Sequence, residues 1–418
     1  MLEKPMTIKI KLREVIYALA DALDLVGIDE VEHGKRVGYM SVECGKQLGL
    51  KQETLDILFH AALLHDCGVS SSNSLQHLIK EMEWNNVDEH CRRGSELLLS
   101  VEPFAHLTPV IRHHHTHWDM LQDVNITANN AQLSNLIFLM DRVDALAASQ
   151  EGKDILSKRA FIQKTITQYG GSLFSPELIE LFLSVSAKEA FWITLETRHL
   201  CHYLREKEEV KDAIIIDFQE LKQIAGIFAN IVDAKSAYTH EHSLGVSNLA
   251  HLLAQKCNLS FATCEKLEVA GLLHDLGKLQ VPDTILEKPG ILTAEERTVI
   301  SRHSFETYQI LKKISGIEDI AEWAGFHHET PGGHGYPFQL KDQELRLEAR
   351  IIGVADVFQA LAQKRPYRDP MPIAQIMRML KEFARENRLD GNLIHLVENN
   401  LEECWQAALC YDRTKLSS

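Results

Sequence analysis

Two sets of histidines and aspartates recur in the same order along the chain. The later set is His242, His274-Asp275, His303, His327-His328 and Asp356; the earlier is His33, His65-Asp66, His90, His114-His115 and Asp141. Five imidazoles and two carboxylates form a donor inventory suited to transition metals such as Fe or Mn. Neighbouring residues on a helix project about 100° apart, so each His-Asp or His-His pair can serve two adjacent ions. Asp275, the carboxylate beside a His in the central helix of the later set, is the expected bridge between two metals. Two ions roughly 3.5–4 Å apart make a clamp for in-line displacement at phosphorus. A hydroxide bridging them would attack, and the metals would absorb the charge developing on the phosphoryl oxygens. Core packing requires no polar residues at these places, and burying them without a cation would leave unpaired groups costing roughly 1–3 kcal/mol each.

The elements that must position these residues read as helices. Leu133, Leu136, Ile137, Met140 and Val143 fall at helical spacing, as do Leu267, Ala270, Gly271 and His274. Ser175-Pro176-Glu177 reads as a helix start, and Thr293-Ala294-Glu295-Glu296 as a capping box. Ala213–Phe218 is the one β-rich stretch. The expected fold is all-α.

The two sets are an internal duplication. Leu63-Leu64-His65-Asp66-Cys67-Gly68 returns as Leu272-Leu273-His274-Asp275-Leu276-Gly277, and Asp141-Arg-Val-Asp-Ala-Leu as Asp356-Val-Phe-Gln-Ala-Leu. The spacing between partners drifts only slightly along the chain, as small loop changes would produce. Two related helical domains are expected, 1–205 and 206–418, with the charged run Arg205–Asp212 as linker.

Composition sets limits on what such a chain binds. It has 418 residues, with 44 Lys+Arg against 59 Asp+Glu and a formal net charge of -15. An acidic chain is poorly suited to a polymeric nucleic-acid backbone, where affinity comes from phosphate neutralisation by Lys and Arg. Any nucleotide ligand must be small and held by a local cluster of positive charge. No stretch reaches the roughly 18 apolar residues of a membrane span, and Met1–Leu12 lacks the apolar core of a signal peptide. The eight cysteines form no CxxC pair and read as reduced thiols, so a cytoplasmic protein is expected.

The second copy resembles an HD-GYP domain, a branch of the HD phosphohydrolase superfamily. The likeness runs from about Asp233 to Asp390. It rests on Asp233–Ser243, His274-Asp275-Leu276-Gly277-Lys278 and Lys288-Pro289-Gly290. It continues through His327-His328-Glu329, Gly335-Tyr336-Pro337, Val354-Ala355-Asp356 and Arg365-Pro366-Tyr367-Arg368. The resemblance implies a helical, metal-dependent phosphodiesterase that opens a cyclic dinucleotide to a linear 5′-phosphorylated product. It places the metal ligands on His242, His274, Asp275, His303, His327, His328 and Asp356, and Lys278 on a substrate phosphate. Tyr336, Gln359, Arg365 and Arg368 are expected at the substrate, with Tyr336 or Tyr367 available for base stacking.

Three positions depart from the family pattern. Tyr238 stands where members with a third metal carry Glu, so two metals are expected. Gly332 and Gln359 stand where Asp is usual, which leaves cyclic di-GMP and 3′,3′-cyclic GMP-AMP both open as substrates. The first copy keeps all seven ligand counterparts, and so is expected to hold a further metal pair. It has Val69 in place of Lys278, Thr116 in place of Glu329, and no Gly-Tyr-Pro. Two readings of it stand: a phosphomonoesterase acting on the linear product, or a regulatory domain. For the whole chain, a non-hydrolytic dinucleotide receptor is the alternative to a diesterase, although lost ligands would mark that class and none is lost. Whether the halves pair within one chain or across a homodimer stays open.

Overall fold

The computed structural model describes residues 7–26, 32–69, 82, 87–149, 154–207, 213–235, 240–363 and 370–409. It divides into two compact units, one formed by Val15–Asp212 and the other by Met1–Glu14 with Ala213–Ser418. Helices build both, as expected. Strand β1 (Thr7–Lys11) pairs antiparallel with β2 (Ala213–Asp217), Thr7 opposite Asp217 and Lys11 opposite Ala213. The β-rich stretch expected at 213–218 is therefore a strand, but its partner was not foreseen. Thr-Ile-Lys-Ile-Lys alternates over only five residues and buries only Ile10 fully. This pairing puts Thr7–Glu14 in the C-terminal unit, apart from the domain expected to contain them. Of the expected linker, residues 208–212 lie outside the described residues.

The first unit places its site on α1 (His33–Gln47), α2 (Gln52–Leu64), α3 (Val87–Leu99), α4 (Thr108–Arg112) and α5 (Ala128–Ala148). The second repeats them as α6 (His240–Lys256), α7 (Phe261–Leu273), α8 (Ala294–Leu311), α9 (Glu318–Gly325) and α10 (Leu347–Ala362). Packing repeats too: α1 lies on α2 and α5 as α6 lies on α7 and α10, and α3 meets α4 as α8 meets α9. The expected apolar stripe of α5, Leu133 to Val143, is wholly buried.

Local chemistry starts several of these helices. Thr127 and Ser260 accept from the backbone N–H three residues on, opening α5 and α7. Thr293 and Glu296 close the expected capping box at the head of α8. A helix begins at Pro176 as expected, but the Ser175 hydroxyl does not cap it; the Asn135 amide oxygen accepts from Ser175 N–H instead.

The glycine that follows each His-Asp pair has a steric reason. A Cβ on Gly68 would stand 1.9 Å from the His90 carbonyl oxygen, and one on Gly277 would stand 2.1 Å from that of His303. Without a side chain, the turn after the pair lies directly on the helix that carries the next histidine of the set. In the second unit Thr307 locks that approach, accepting from Gly277 N–H at 2.9 Å and donating to His274 O at 3.1 Å.

Two candidate metal centres

Each seven-residue set converges into a single buried cluster. In the second unit His242 comes from α6, His303 from α8 and Asp356 from α10. The paired residues do not sit within helices as the sequence suggested. His274 terminates α7 and Asp275 follows it at φ -97°, ψ 7°, while His327-His328 lie just past α9. The chain turns at each pair, and the turn, rather than the 100° helical step, aims the two side chains into one centre.

The Asp275 carboxylate faces two ways. Its Oδ2 lies 3.4 Å from His242 Nε2 and 3.2 Å from His274 Nε2, while its Oδ1 lies 3.5 Å from His303 Nε2. Asp356 Oδ1 completes the first group, 3.2 Å from His242 Nε2. The first unit repeats the arrangement. Asp66 turns Oδ2 to His65 Nε2 at 3.3 Å and Oδ1 to His90 Nε2 at 3.6 Å; Asp141 turns Oδ1 to His33 at 3.4 Å and Oδ2 to His115 at 3.6 Å.

Five of the imidazoles are held with their Nε2 lone pairs inward. Nδ1 of His274, His303 and His327 lies 2.6–2.8 Å from the carbonyl oxygen three residues earlier, as do those of His65 and His114. A carbonyl can only accept, so Nδ1 carries the proton and Nε2 is a bare acceptor. His303 Nε2 and His327 Nε2, both acceptors, face each other at 3.3 Å. Nε2 of His65, His115 and His274 is buried with no hydrogen-bond partner. Acceptors gathered this closely repel one another unless a cation lies among them. The backbone carbonyls are the outer-shell partners that metal-bound histidines have. The residues present therefore fit divalent metal ions in both units, and several sets of three or four of them lie close enough to hold one, among them Asp66-His90-His114-His115, His33-His65-Asp66, His303-His327-His328, His242-His274-Asp356 and His274-Asp275-His327.

The electrostatics are polarised between groups. Burial pushes His303 down to about 3 and His328 to about 4, so both stay neutral. Burial would also depress His242, but the carboxylates of Asp275 and Asp356 beside it outweigh that and raise the ring to about 9. Burial works against charge on both of those carboxyls as well. They are nonetheless held well below the ordinary range, Asp275 by His274 and Lys278, Asp356 by His242.

The remaining expected residues divide. Lys278 lies at the edge of the centre, its ammonium 2.5 Å from Asp275 Oδ2 and its side chain 19% exposed. Tyr336 borders the second group, its ring 4.8 Å from that of His328. Gln359, expected at the substrate, is buried behind His242: its Oε1 accepts from His242 Nδ1 at 2.5 Å and its amide nitrogen donates to Ala408 O. Its carboxamide is occupied in orienting His242. Arg365, Arg368, Tyr367 and Tyr238 lie outside the described residues.

The structure adds residues that the sequence reading missed. Glu329 is buried and accepts from the backbone N–H groups of Phe338, Gln339 and Leu340 at 2.6–3.1 Å, fastening the loop that follows Gly-Tyr-Pro. A Cβ at Gly335 would stand 2.5 Å from both His328 O and Glu329 Cα, so the loop can lie on the His-His-Glu turn only with glycine there. In the first unit Asp144 takes the place of Gln359, its Oδ2 2.8 Å from His33 Nδ1, and Arg36 grips the same carboxylate at 2.6 and 2.8 Å. Arg142 lies on the ligand-set residue Asp141 at 2.9 Å. The duplication was the available signal, since aligning the copies sets Asp144 against Gln359.

Comparison with known proteins agrees with this architecture. Residues 31–149 and 226–393 each match a family model described as an HD domain. The chain is similar to 3′3′-cGAMP-specific phosphodiesterase 1 of Vibrio cholerae, 35% identical over 413 residues that cover 97% of this chain and 95% of the relative. It is 28% identical over 424 residues to 3′3′-cGAMP-specific phosphodiesterase 3 of the same organism, covering 89% and 90% of the two chains. A cyclic di-GMP phosphodiesterase of Thermotoga maritima is 31% identical over 180 residues, 42% of this chain and 49% of the relative. The crystal structure of a cyclic GMP-AMP-specific phosphodiesterase of Vibrio cholerae superposes with a TM-score of 0.66 at 25% identity, covering 97% of this chain and 99% of the other.

Proposed function

The chain belongs to the HD-GYP-type cyclic-dinucleotide phosphodiesterases, metal-dependent hydrolases of the HD superfamily, and we propose that its C-terminal unit opens 3′,3′-cyclic GMP-AMP to a linear 5′-phosphorylated dinucleotide. Cyclic di-GMP is the second candidate. The observation that carries the reading is the seven-residue cluster of the second unit, with bare imidazole acceptors around a two-sided carboxylate. The preference for the mixed dinucleotide is supported by coverage. The two Vibrio cholerae relatives named for it match nearly the whole tandem chain, whereas the Thermotoga maritima relative named for cyclic di-GMP matches less than half.

In this reading His242, His274 and Asp356 would hold one divalent ion and His303, His327 and His328 a second, with Asp275 shared between them. Fe and Mn are the metals this nitrogen and oxygen set suits. Bound there, such metals supply Lewis acidity at the phosphoryl group and ease deprotonation of the attacking water. The protein's own groups do the rest. Lys278 offers a point charge to a phosphate oxygen beside Asp275. Tyr336 presents its ring at the mouth, and Glu329 holds the loop that carries it. Arg365 and Arg368 are assigned to the substrate by the family resemblance.

For the first unit we propose a second phosphohydrolase, acting on the 5′-phosphate of the linear product. The retained donor geometry favours this over a purely regulatory role, and Val69 in place of a Lys278 counterpart argues against the same diester. No helix among the described residues is long and apolar enough to cross a membrane. The cysteines of the described residues are free thiols, as a reducing compartment leaves them, and we place the reaction in the cytoplasm.

The test is one assay on the full chain loaded with Mn or Fe, supplied separately with cyclic GMP-AMP, cyclic di-GMP and cyclic di-AMP. The expected result is fastest cleavage of cyclic GMP-AMP, abolished in His274→Ala/Asp275→Ala. In His65→Ala/Asp66→Ala, cleavage should persist while phosphate release stops. Metal bound with no cleavage of any of the three would leave the receptor reading in its place.

A further inference from the structure

The two centres differ at one side chain whose chemistry is metal-directed. Cys91 follows His90 on α3, and Ser304 follows His303 at the matching place on α8. Cys91 is 2% exposed, and its Sγ lies 3.7 Å from His90 Nε2 and 3.9 Å from His114 Nε2, atoms themselves 3.2 Å apart. Asp66 Oδ1 lies 3.6 and 3.9 Å from the same two nitrogens.

These are the separations that ligands of one ion adopt. With metal–nitrogen bonds of about 2.0–2.1 Å and metal–sulfur bonds of about 2.3 Å, tetrahedral angles place ligand atoms roughly 3.3–3.6 Å apart, and wider angles place them further. A second feature of the site points to a cation independently of the thiol. His115 Nε2 is buried beside this group and has no hydrogen-bond partner, and His114 Nε2 is a bare acceptor because Nδ1 donates to Ile111 O. At the corresponding place in the C-terminal centre the Ser304 hydroxyl lies 3.3 Å from His303 Nε2, a hard and weaker donor than a thiolate.

We propose that Cys91 is a sulfur ligand of the N-terminal centre, making that centre selective for a thiophilic divalent ion such as zinc, while the C-terminal centre keeps an all nitrogen and oxygen set. The proposal rests on reading the first His/Asp set as metal ligands. Coordination exchanges the S–H bond for a sulfur–metal bond, and the thiol proton leaves to solvent. A chain with two different donor sets would load two kinds of metal, and its two chemistries would respond separately to metal supply.

Cobalt(II) titrated into the metal-stripped full chain tests this without relying on turnover. The wild type is expected to develop the visible bands of bound cobalt together with an intense near-ultraviolet sulfur-to-cobalt charge-transfer band. Cys91→Ser, which copies the second unit's own residue, should lose the near-ultraviolet band entirely while binding cobalt through the remaining ligands. A wild type that binds cobalt at the first centre without that band, or a Cys91→Ser variant that keeps it, overturns the assignment. His90→Ala/His114→Ala separates the two levels. If it binds as much cobalt as the wild type, the first set holds no metal at this position, and the proposal falls with the reading beneath it.

Discussion

The side-chain oxygen of Gln359 lies 2.5 Å from Nδ1 of His242, its neighbour in the C-terminal centre. In the first unit a carboxylate, Asp144, does the same for His33, and Arg36 balances its charge through both carboxylate oxygens. Gly245 stands where Arg36 would recur. The duplicated chain thus orients one histidine through a charged pair and the other through a neutral amide. An amide fixes the tautomer without strengthening the imidazole as a donor, whereas a carboxylate does both.

Replacing Gln359 by Leu should therefore weaken metal binding at the His242 group by about 10–100-fold, the usual effect of removing an outer-shell partner. The first unit should be untouched. Metal titration of Gln359→Leu against wild type reads this directly, with circular dichroism confirming the fold. Unchanged affinity would show that Gln359 only fills space.

Proton release should accompany metal binding in the second unit. In the metal-free protein burial opposes charge on His242, but Asp275 and Asp356 raise it to about 9, so at neutral pH this ring is protonated. His303 is pushed down to about 3 by burial and is already neutral. A metal entering the His242 group must displace a proton, so its affinity should rise about tenfold per pH unit and level off near pH 9. The linked stability has the opposite sign. A folded-state value above the unfolded one of about 6.5 stabilises the metal-free protein below that pH, and the contribution disappears as pH rises through about 9. Calorimetry in buffers of different ionisation enthalpy would count the protons, and no release at neutral pH would contradict the arrangement.

Much of the site was legible in the sequence because the chain states it twice. A lone histidine says little, but seven residues recurring in order could be picked out, and the structure gathers all seven in each unit. The roles of Gln359 and Glu329 were not legible, since each acts through contacts with residues far along the chain or across a loop. A glutamine three residues after Asp356 looked like a substrate contact until its amide was seen on His242. The strand Thr7–Lys11 was missed for a related reason: five alternating residues carry little signal until β2, far along the chain, is placed beside them.

Lys278 should matter to the substrate more than to the metals. Its ammonium sits on Asp275 at the open edge of the centre, where a phosphate oxygen would meet it. Lys278→Met should lower kcat/KM for the cyclic dinucleotide by about 10–100-fold, corresponding to about 1.4–2.7 kcal/mol. Metal content should be unchanged. A variant that loses metal in step with activity would assign Lys278 to holding Asp275 in place.

The loop carrying Tyr336 depends on Glu329, and its failure should be separable from failure of the metals. Glu329→Ala strands three backbone N–H groups, each costing about 1–3 kcal/mol if it stays buried, so the loop should detach and expose them to water instead. Gly335→Ala reaches the same end by steric conflict with the His328 carbonyl. Both variants should keep the metals, because none of the seven set residues lies on the loop itself, and both should raise KM. Hydrogen exchange would localise the change to residues 335–340. Loss of metal from Glu329→Ala would tie the loop to His328 more tightly than its hydrogen bonds suggest.

Metal removal should destabilise both units, since each buries acceptors with no protein donor to satisfy them. A ligand that binds only the folded state stabilises it by RT ln(1 + [L]/Kd), about 2.7 kcal/mol at a hundredfold excess over Kd. A strong chelator should thus lower the thermal midpoint, and added Mn for the second centre with zinc for the first should restore it. The two units need not respond together. The first carries Arg36 and Arg142 beside Asp144 and Asp141, so part of its carboxylate charge stays balanced after the metal leaves. Asp356 has the raised His242 to do this and Asp275 adds Lys278, so the second unit should lose more stability as pH approaches 9 and His242 gives up its proton. Chelated protein melted at neutral pH and at about pH 9 should show two transitions that separate further at the higher pH. One transition unmoved by either chelator or pH would mean that the imidazole clusters are satisfied without a cation.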